Sequence, residues 1–241
     1  EKLKIFYTLK EHVGSKAPII AGTGSNSTHA TIELSLEAEK AGVNGLLLVN
    51  PYYNKPSQQG LLEHFQAVAH SVSLPIILYN HPGRTGVCIA AETLEKLAQI
   101  PNIVGIKDSS GDFQLLTEYI RQTPEDFLVY SGDDPLTLPI LSLGGYGVIS
   151  VCSHIVGDLM KEMLEYVKNG LLQQARDLHF TLFDLMRILF CAPSPAPTKA
   201  ALAMLDFPVG GVRLPLTPVT AEQATQIQRV LKKLKVLSPI T

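Results

Sequence analysis

The chain has 241 residues, 46% of them hydrophobic and 17% charged, with a formal net charge of −2 at pH 7. That length and apolar content suit a barrel-sized core, while the near-neutral charge gives no electrostatic basis for binding nucleic acid or an anionic membrane. No apolar run approaches the roughly 18 residues of a membrane span, and Cys88, Cys152 and Cys191 form no CxxC pair, which fits buried thiols in a reducing cytoplasm rather than disulfides or zinc.

Glu1 to Lys10 reads as a helix, and short apolar runs then recur at Pro18–Ala21, Gly45–Val49, Pro75–Tyr79, Ile103–Lys107, Phe127–Ser131 and Gly147–Val151. They are continuous rather than alternating, as expected for parallel strands covered on both faces. Between them lie helical patterns. Ser57 is placed to cap a helix that turns Leu61, Leu62, Phe65, Val68, Ala69 and Val72 inward, and a second runs from about Asp158 to a stop at Gly170. This βα alternation predicts an α/β fold. A TIM (β/α)8-type barrel is favoured over an open sheet because polar motifs fall at the ends of several strands, not at one switch point. Residues 1–170 form the barrel part. Residues 171–241 read as a C-terminal helical segment, with helices over Leu171–Leu189, Thr198–Leu205 and Ala221–Lys235. The cluster Pro193-Ser-Pro-Ala-Pro197 reads as a stiff connection between helices.

The motifs sit where strands end. Gly22-Thr-Gly-Ser-Asn-Ser27 nearly matches a dinucleotide fingerprint, but Ser27 replaces the third glycine; a tight turn with Ser27 as helix cap explains it as well. Pro51-Tyr-Tyr-Asn-Lys-Pro56 sets Tyr52 and Tyr53 on different sides of an extended loop. Tyr79-Asn-His-Pro-Gly-Arg84 offers a phenol for proton relay and a guanidinium that can fork onto a carboxylate. Lys107 ends its strand as a primary amine among apolar side chains, where a Schiff-base nucleophile would stand, although a solvated charge beside Asp108 is the simpler alternative. Ser131-Gly-Asp-Asp134 reads as a magnesium site or as a capped turn. The histidines form no HxH or HxxxH pair, so metal catalysis is not expected. Lys107, Tyr79, Tyr53 and Arg84 together make a toolkit for imine formation with a 2-oxo acid.

In order along nearly the whole chain, seven segments resemble the superfamily of dihydrodipicolinate synthases and N-acetylneuraminate lyases. They are Ala21-Gly-Thr-Gly, Asn50-Pro-Tyr-Tyr-Asn-Lys-Pro-Ser57, Leu78-Tyr-Asn-His-Pro-Gly-Arg-Thr-Gly86, Gly105-Ile-Lys-Asp-Ser-Ser-Gly111, Ser131-Gly-Asp-Asp134, Gly144-Gly-Tyr-Gly-Val-Ile-Ser-Val151 and Arg213-Leu-Pro-Leu216. The Tyr-Tyr-Asn-Lys-Pro loop and the Arg84-Thr-Gly segment are most similar to the synthase branch. The resemblance implies that Lys107 attacks pyruvate and that Tyr79 handles protons. It places Tyr53 in the partner subunit's proton relay and Arg84 on the carboxylate of aspartate semialdehyde. Gly132 and the backbone carbonyl of Ile149 fall at the substrate. The product would be 4-hydroxy-tetrahydrodipicolinate, on the way to diaminopimelate and lysine, with no metal or organic cofactor and a homotetramer built from tight dimers. Asn26 and Tyr52 match contacts of a lysine feedback site. Ala30 stands where sensitive members carry glutamate, which implies weak or absent inhibition by lysine. Two alternatives remain at this stage: another pyruvate-dependent aldolase, acting on a 2-keto-3-deoxy sugar acid or N-acetylneuraminate, or a non-catalytic remnant.

Nothing in the sequence matches the family's first two strands or the Gly-Thr-Thr-Gly-Glu motif that cradles the pyruvate carboxylate. Six strands are read where a closed barrel has eight. The expectation is therefore that an N-terminal segment is missing from this sequence, and that a chain of this length alone turns over poorly.

Overall fold

Continuous β-branched and leucine-rich runs do form parallel strands, and the segments between them return as helices. The computed structural model describes residues 1–236. In chain order the elements are α1 (Lys2–Val13), β1 (Ile20–Gly22), α2 (Thr28–Lys40), β2 (Gly45–Val49), α3 (Gln58–Ser71), β3 (Ile76–Asn80), α4 (Pro82–Thr85), α5 (Ala91–Leu97), β4 (Ile103–Asp108), α6 (Phe113–Gln122) and β5 (Leu128–Ser131). A 3-10 turn (Asp134–Leu136) then leads to α7 (Thr137–Ser142), β6 (Gly147–Val148), α8 (Ser153–Lys168), α9 (Leu172–Ile188), α10 (Ala196–Met204) and α11 (Ala221–Lys233). These elements group into two compact units, residues 1–132 with 143–146, and residues 133–142 with those from Gly147 onward.

In the first unit β1 to β5 lie side by side in chain order, every pair parallel. Leu46, Leu48, Ile76, Leu78 and Ile106 are fully buried, as are Leu61, Phe65 and Val68 of α3. Two serines start helices as the sequence suggests. Ser27 Oγ accepts from Ala30 N at 3.3 Å and Ser57 Oγ from Gly60 N at 3.2 Å. The glycine-rich turn ahead of Ser27 is a packing device. A Cβ on Gly24 would stand 2.5 Å from Val49 N, and Thr23 turns away to bond Ser35 Oγ at 2.9 Å.

One irregularity sets the active register. At the start of the β3–β4 ladder Ile76 pairs with Ile103, but Ile77 pairs with Gly105. The extra residue shifts the ladder by one, so that Tyr79 lies beside Lys107 instead of Ile106. Gly105 fits because it has no side chain: a Cβ there would meet the Leu128 carbonyl oxygen at 2.4 Å and Leu128 Cβ at 2.9 Å. Backbone cannot yield as a side chain can, so Gly105→Ala is expected to destabilise the fold by about 3 kcal/mol. Urea unfolding of the two proteins measures it, and a loss below about 1 kcal/mol would mean that the ladder adjusts freely.

The second unit is helical apart from β6. Met160 and Met163 of α8, Leu182, Leu185 and Met186 of α9, Ala201 of α10, and Ile227 and Leu231 of α11 share one core. Leu159, Leu164 and Val167 pack at its margin. Here the structure departs from the sequence reading. α8 begins at Ser153, five residues earlier than the apolar period suggested, with a non-helical Val156 (φ −126°, ψ 40°) breaking that period. The proline cluster is not only a connection, since Pro197 lies in the first turn of α10, where a missing N–H costs nothing. β6 covers two residues rather than the five expected.

Candidate active site

Strand geometry divides the chemistry into two rows. Val49, Tyr79, Lys107 and Tyr130 are register partners across β2 to β5, so their side chains emerge on one face of the sheet. One residue further on, Asn80, Asp108 and Ser131 are partners and face the other way. The first row is half-buried. Lys107 Nζ stands 4.4 Å from the centroid of the Tyr79 ring, and Tyr130 packs edge-on against Tyr146 at 5.2 Å.

The second row ties the strand ends together. Asn50, which follows β2, donates to Asn80 Oδ1 at 2.9 Å, and Asn80 donates in turn to Asp108 Oδ1 at 2.7 Å. Asp108 Oδ2 accepts from Ser110 N at 3.0 Å and Ser110 Oγ at 2.6 Å. Asn50, Asn80 and Asp108 are buried, and buried polar groups of this kind hold one geometry because the alternative is an unpaired group in low dielectric. Burial pushes the Asp108 carboxyl above its ordinary range against the pull of its Ser110 and Asn80 donors. The network fixes the backbone from which Tyr79 and Lys107 project.

Gly132 closes the same corner. Its N–H donates to the Asp108 carbonyl at 2.6 Å, and a Cβ on it would lie 2.7 Å from Lys107 Cε. Ser109 Oγ is nearer still, and buried. Burial raises the Tyr79 phenol above its ordinary range, opposed in part by the Ser109 hydroxyl that faces it and by the Arg84 charge. Arg84 projects from α4, a single turn that Pro82 starts and Gly86 ends in the left-handed conformation (φ 76°).

Lys107, Tyr79, Arg84 and Gly132 are therefore brought together within the first unit. Tyr53 is not among them. It stands 90% exposed in the loop after β2 with φ 77°, a conformation that a bulky side chain adopts only under constraint. Tyr52 is exposed beside it, and Asn26 is linked to the same loop through Asn54 Nδ2, which donates to its carbonyl at 2.9 Å. Ile149 follows β6 in the second unit. Asp134 begins the 3-10 turn and caps backbone rather than facing solvent: its Oδ2 accepts from Val151 N at 3.1 Å and Cys152 N at 2.9 Å. No cluster of three or more His, Cys, Asp or Glu side chains is gathered among the described residues.

Two features escaped the sequence reading. The Asn50–Asn80–Asp108 chain joins residues about 30 positions apart, a relation that only the register creates. His81 lies against Arg84, its Nε2 accepting from Arg84 Nε at 3.2 Å. The three-residue spacing on a helix that begins with proline was the available signal.

Comparison with known proteins shows the family. Residues 1–234 match the model of the dihydrodipicolinate synthetase family. The chain belongs to that family. Among the relatives of this family member, the 4-hydroxy-tetrahydrodipicolinate synthase 1 of Halalkalibacterium halodurans is 53% identical over 228 residues, spanning 95% of this chain and 77% of the relative. The 4-hydroxy-tetrahydrodipicolinate synthase of Bacillus subtilis is 51% identical over 236 residues, 97% of this chain and 81% of the relative. Among solved structures, the dihydrodipicolinate synthase of Bacillus anthracis superposes with a TM-score of 0.93 at 47% identity, covering 96% of this chain and 79% of that one. The enzyme of Cyanidioschyzon merolae, solved with lysine bound, gives 0.96 at 46% identity, covering 98% of this chain and 81% of that one. The fold of this dihydrodipicolinate synthetase family member is thus α/β of the TIM-barrel type, with six strands and C-terminal helices among the described residues. No helix among the described residues is long and apolar enough to cross a membrane.

Proposed function

We propose that the chain is a lyase, a 4-hydroxy-tetrahydrodipicolinate synthase, which condenses pyruvate with aspartate semialdehyde through a Schiff base on Lys107. The observation that carries this reading is the placement of the Lys107 amine 4.4 Å from the Tyr79 ring, at adjacent strand ends with Arg84 close by. In the first step Nζ adds to the ketone carbon of pyruvate, and loss of water leaves an imine. Tyr79 supplies and recovers the protons of that dehydration, a role suited to a phenol that burial keeps protonated. Loss of a methyl proton turns the imine into an enamine, whose carbon forms the new bond to the aldehyde. The amine of the semialdehyde then attacks the imine carbon, closes the ring and releases Lys107. Arg84 holds the carboxylate of the semialdehyde through paired N–H bonds. Covalent catalysis by a lysine needs no metal or organic cofactor, and none is proposed.

Further assignments rest on the resemblance. Gly132 and Ile149 are proposed to contact substrate. Tyr53 is proposed to serve a partner's site in a homotetramer, which its exposure and constrained backbone support. Asn26 and Tyr52 are proposed for a regulatory site at which lysine acts weakly. A sugar-acid aldolase would share the imine chemistry; the 53% and 51% identity to named synthases favours the semialdehyde.

Borohydride reduction in the presence of pyruvate tests the core of this reading. A stable adduct mapped to Lys107 by peptide mass spectrometry is expected. An unmodified chain, or an adduct on another lysine, would overturn it.

A further inference from the structure

His81 has a place in the site that the reaction scheme leaves unused. Its carbonyl accepts from the N–H groups of Arg84 at 2.9 Å and Thr85 at 3.0 Å, which starts α4 and brings Arg84 back over the imidazole. The side chains then meet, Arg84 Nε donating to His81 Nε2 at 3.2 Å. Tyr79 packs against the ring, 5.8 Å between centroids at 58°. Since Nε2 accepts, the neutral ring carries its proton on Nδ1, and that nitrogen is buried with no side-chain partner, only its own backbone beside it. A buried donor paired this poorly is costly to the fold. An apolar residue of similar size would remove that cost and lose only the bond from Arg84 and the ring contact with Tyr79, so stability alone does not account for a histidine here.

We propose that His81 is a positioning residue for substrate binding: its neutral Nε2 engages Arg84 Nε and leaves the guanidinium's terminal N–H edge free to fork onto the carboxylate of the aldehyde substrate. This rests on Arg84 being the carboxylate anchor. A guanidinium has five donors in a fixed plane, so binding Nε fixes the direction of the remaining fork without competing for it. Protonated His81 has no acceptor and would repel Arg84. The charged groups that face His81 are Arg84 and Lys107, both cations, with the Tyr79 phenol beside them. Burial and these two charges hold the imidazole below its ordinary range, so the contact persists at neutral pH and is lost on acidification.

Steady-state kinetics of the full-length protein test this. His81→Val is expected to raise KM for aspartate semialdehyde about fivefold to tenfold, the worth of one ordinary hydrogen bond. KM for pyruvate and kcat should move by no more than about twofold, and thermal stability should be undiminished. His81→Gln, whose amide oxygen can accept from Nε, should recover most of the affinity. In the wild type KM for the semialdehyde should rise below the ordinary imidazole range, and His81→Gln should flatten that rise. An unchanged semialdehyde KM in His81→Val, while Arg84→Ala raises it, overturns the role of His81 alone. An unchanged KM in Arg84→Ala overturns the anchor on which it rests. Equal losses in kcat and both KM values, with lower stability, would make His81 a structural residue and also defeat the proposal.

Discussion

Lys107→Ala should lose about 10⁴-fold or more in kcat, because the proposed mechanism runs through a covalent intermediate on its amine. The loss should be chemical and not structural. Lys107 is half-buried at the end of β4, and its truncation leaves the Asn50–Asn80–Asp108 bonds on the opposite face untouched. Circular dichroism and the unfolding midpoint should therefore stay close to wild type while the borohydride adduct disappears. Lys107→Arg should be equally inactive. A guanidinium keeps its proton at any pH the fold survives, so it has no lone pair to add to a ketone. Turnover within about tenfold of wild type in either variant would remove Lys107 from the mechanism.

Tyr79→Phe separates the phenol's two contributions. The ring that stands 4.4 Å from Lys107 Nζ is retained, and only the O–H is lost. The expected result is a fall in kcat of about 10²- to 10³-fold, the usual worth of a positioned proton donor. KM for pyruvate should change little. The adduct at Lys107 should still form, but more slowly, since dehydration of the carbinolamine lacks its acid. The pH profile of the wild type carries a related expectation. Burial raises the Tyr79 phenol, so its ionisation should limit activity only above the ordinary phenol value of about 10. Activity of the phenylalanine variant within about fivefold of wild type would reassign proton transfer to another group, such as the Ser109 hydroxyl that faces Tyr79.

Much of this was legible before the fold. Continuous apolar runs marked parallel strands because a sheet covered on both faces has no polar row, and five of the six predicted strands fall within two residues of their observed ends. The sixth, β6, is cut short at Val148. The helix after it was placed late because Val156 leaves helical geometry and breaks the apolar period. Ser27 and Ser57 were readable as caps because capping is a local bond, decided within three residues.

The sequence by itself determined the βα succession, the amine at the end of β4, and the phenol and guanidinium that follow β3, since each depends on neighbours in the chain. Its resemblance to one family also supplied roles for them. Tertiary structure decided the rest. The one-residue slip at Gly105 sets Tyr79 beside Lys107, the buried amide and carboxylate row locks those strand ends, and His81 comes to rest on Arg84. The physical reason is that periodicity reports which face a side chain takes within its own strand, whereas register is a relation between strands such as β3 and β4, whose paired residues lie far apart in the chain.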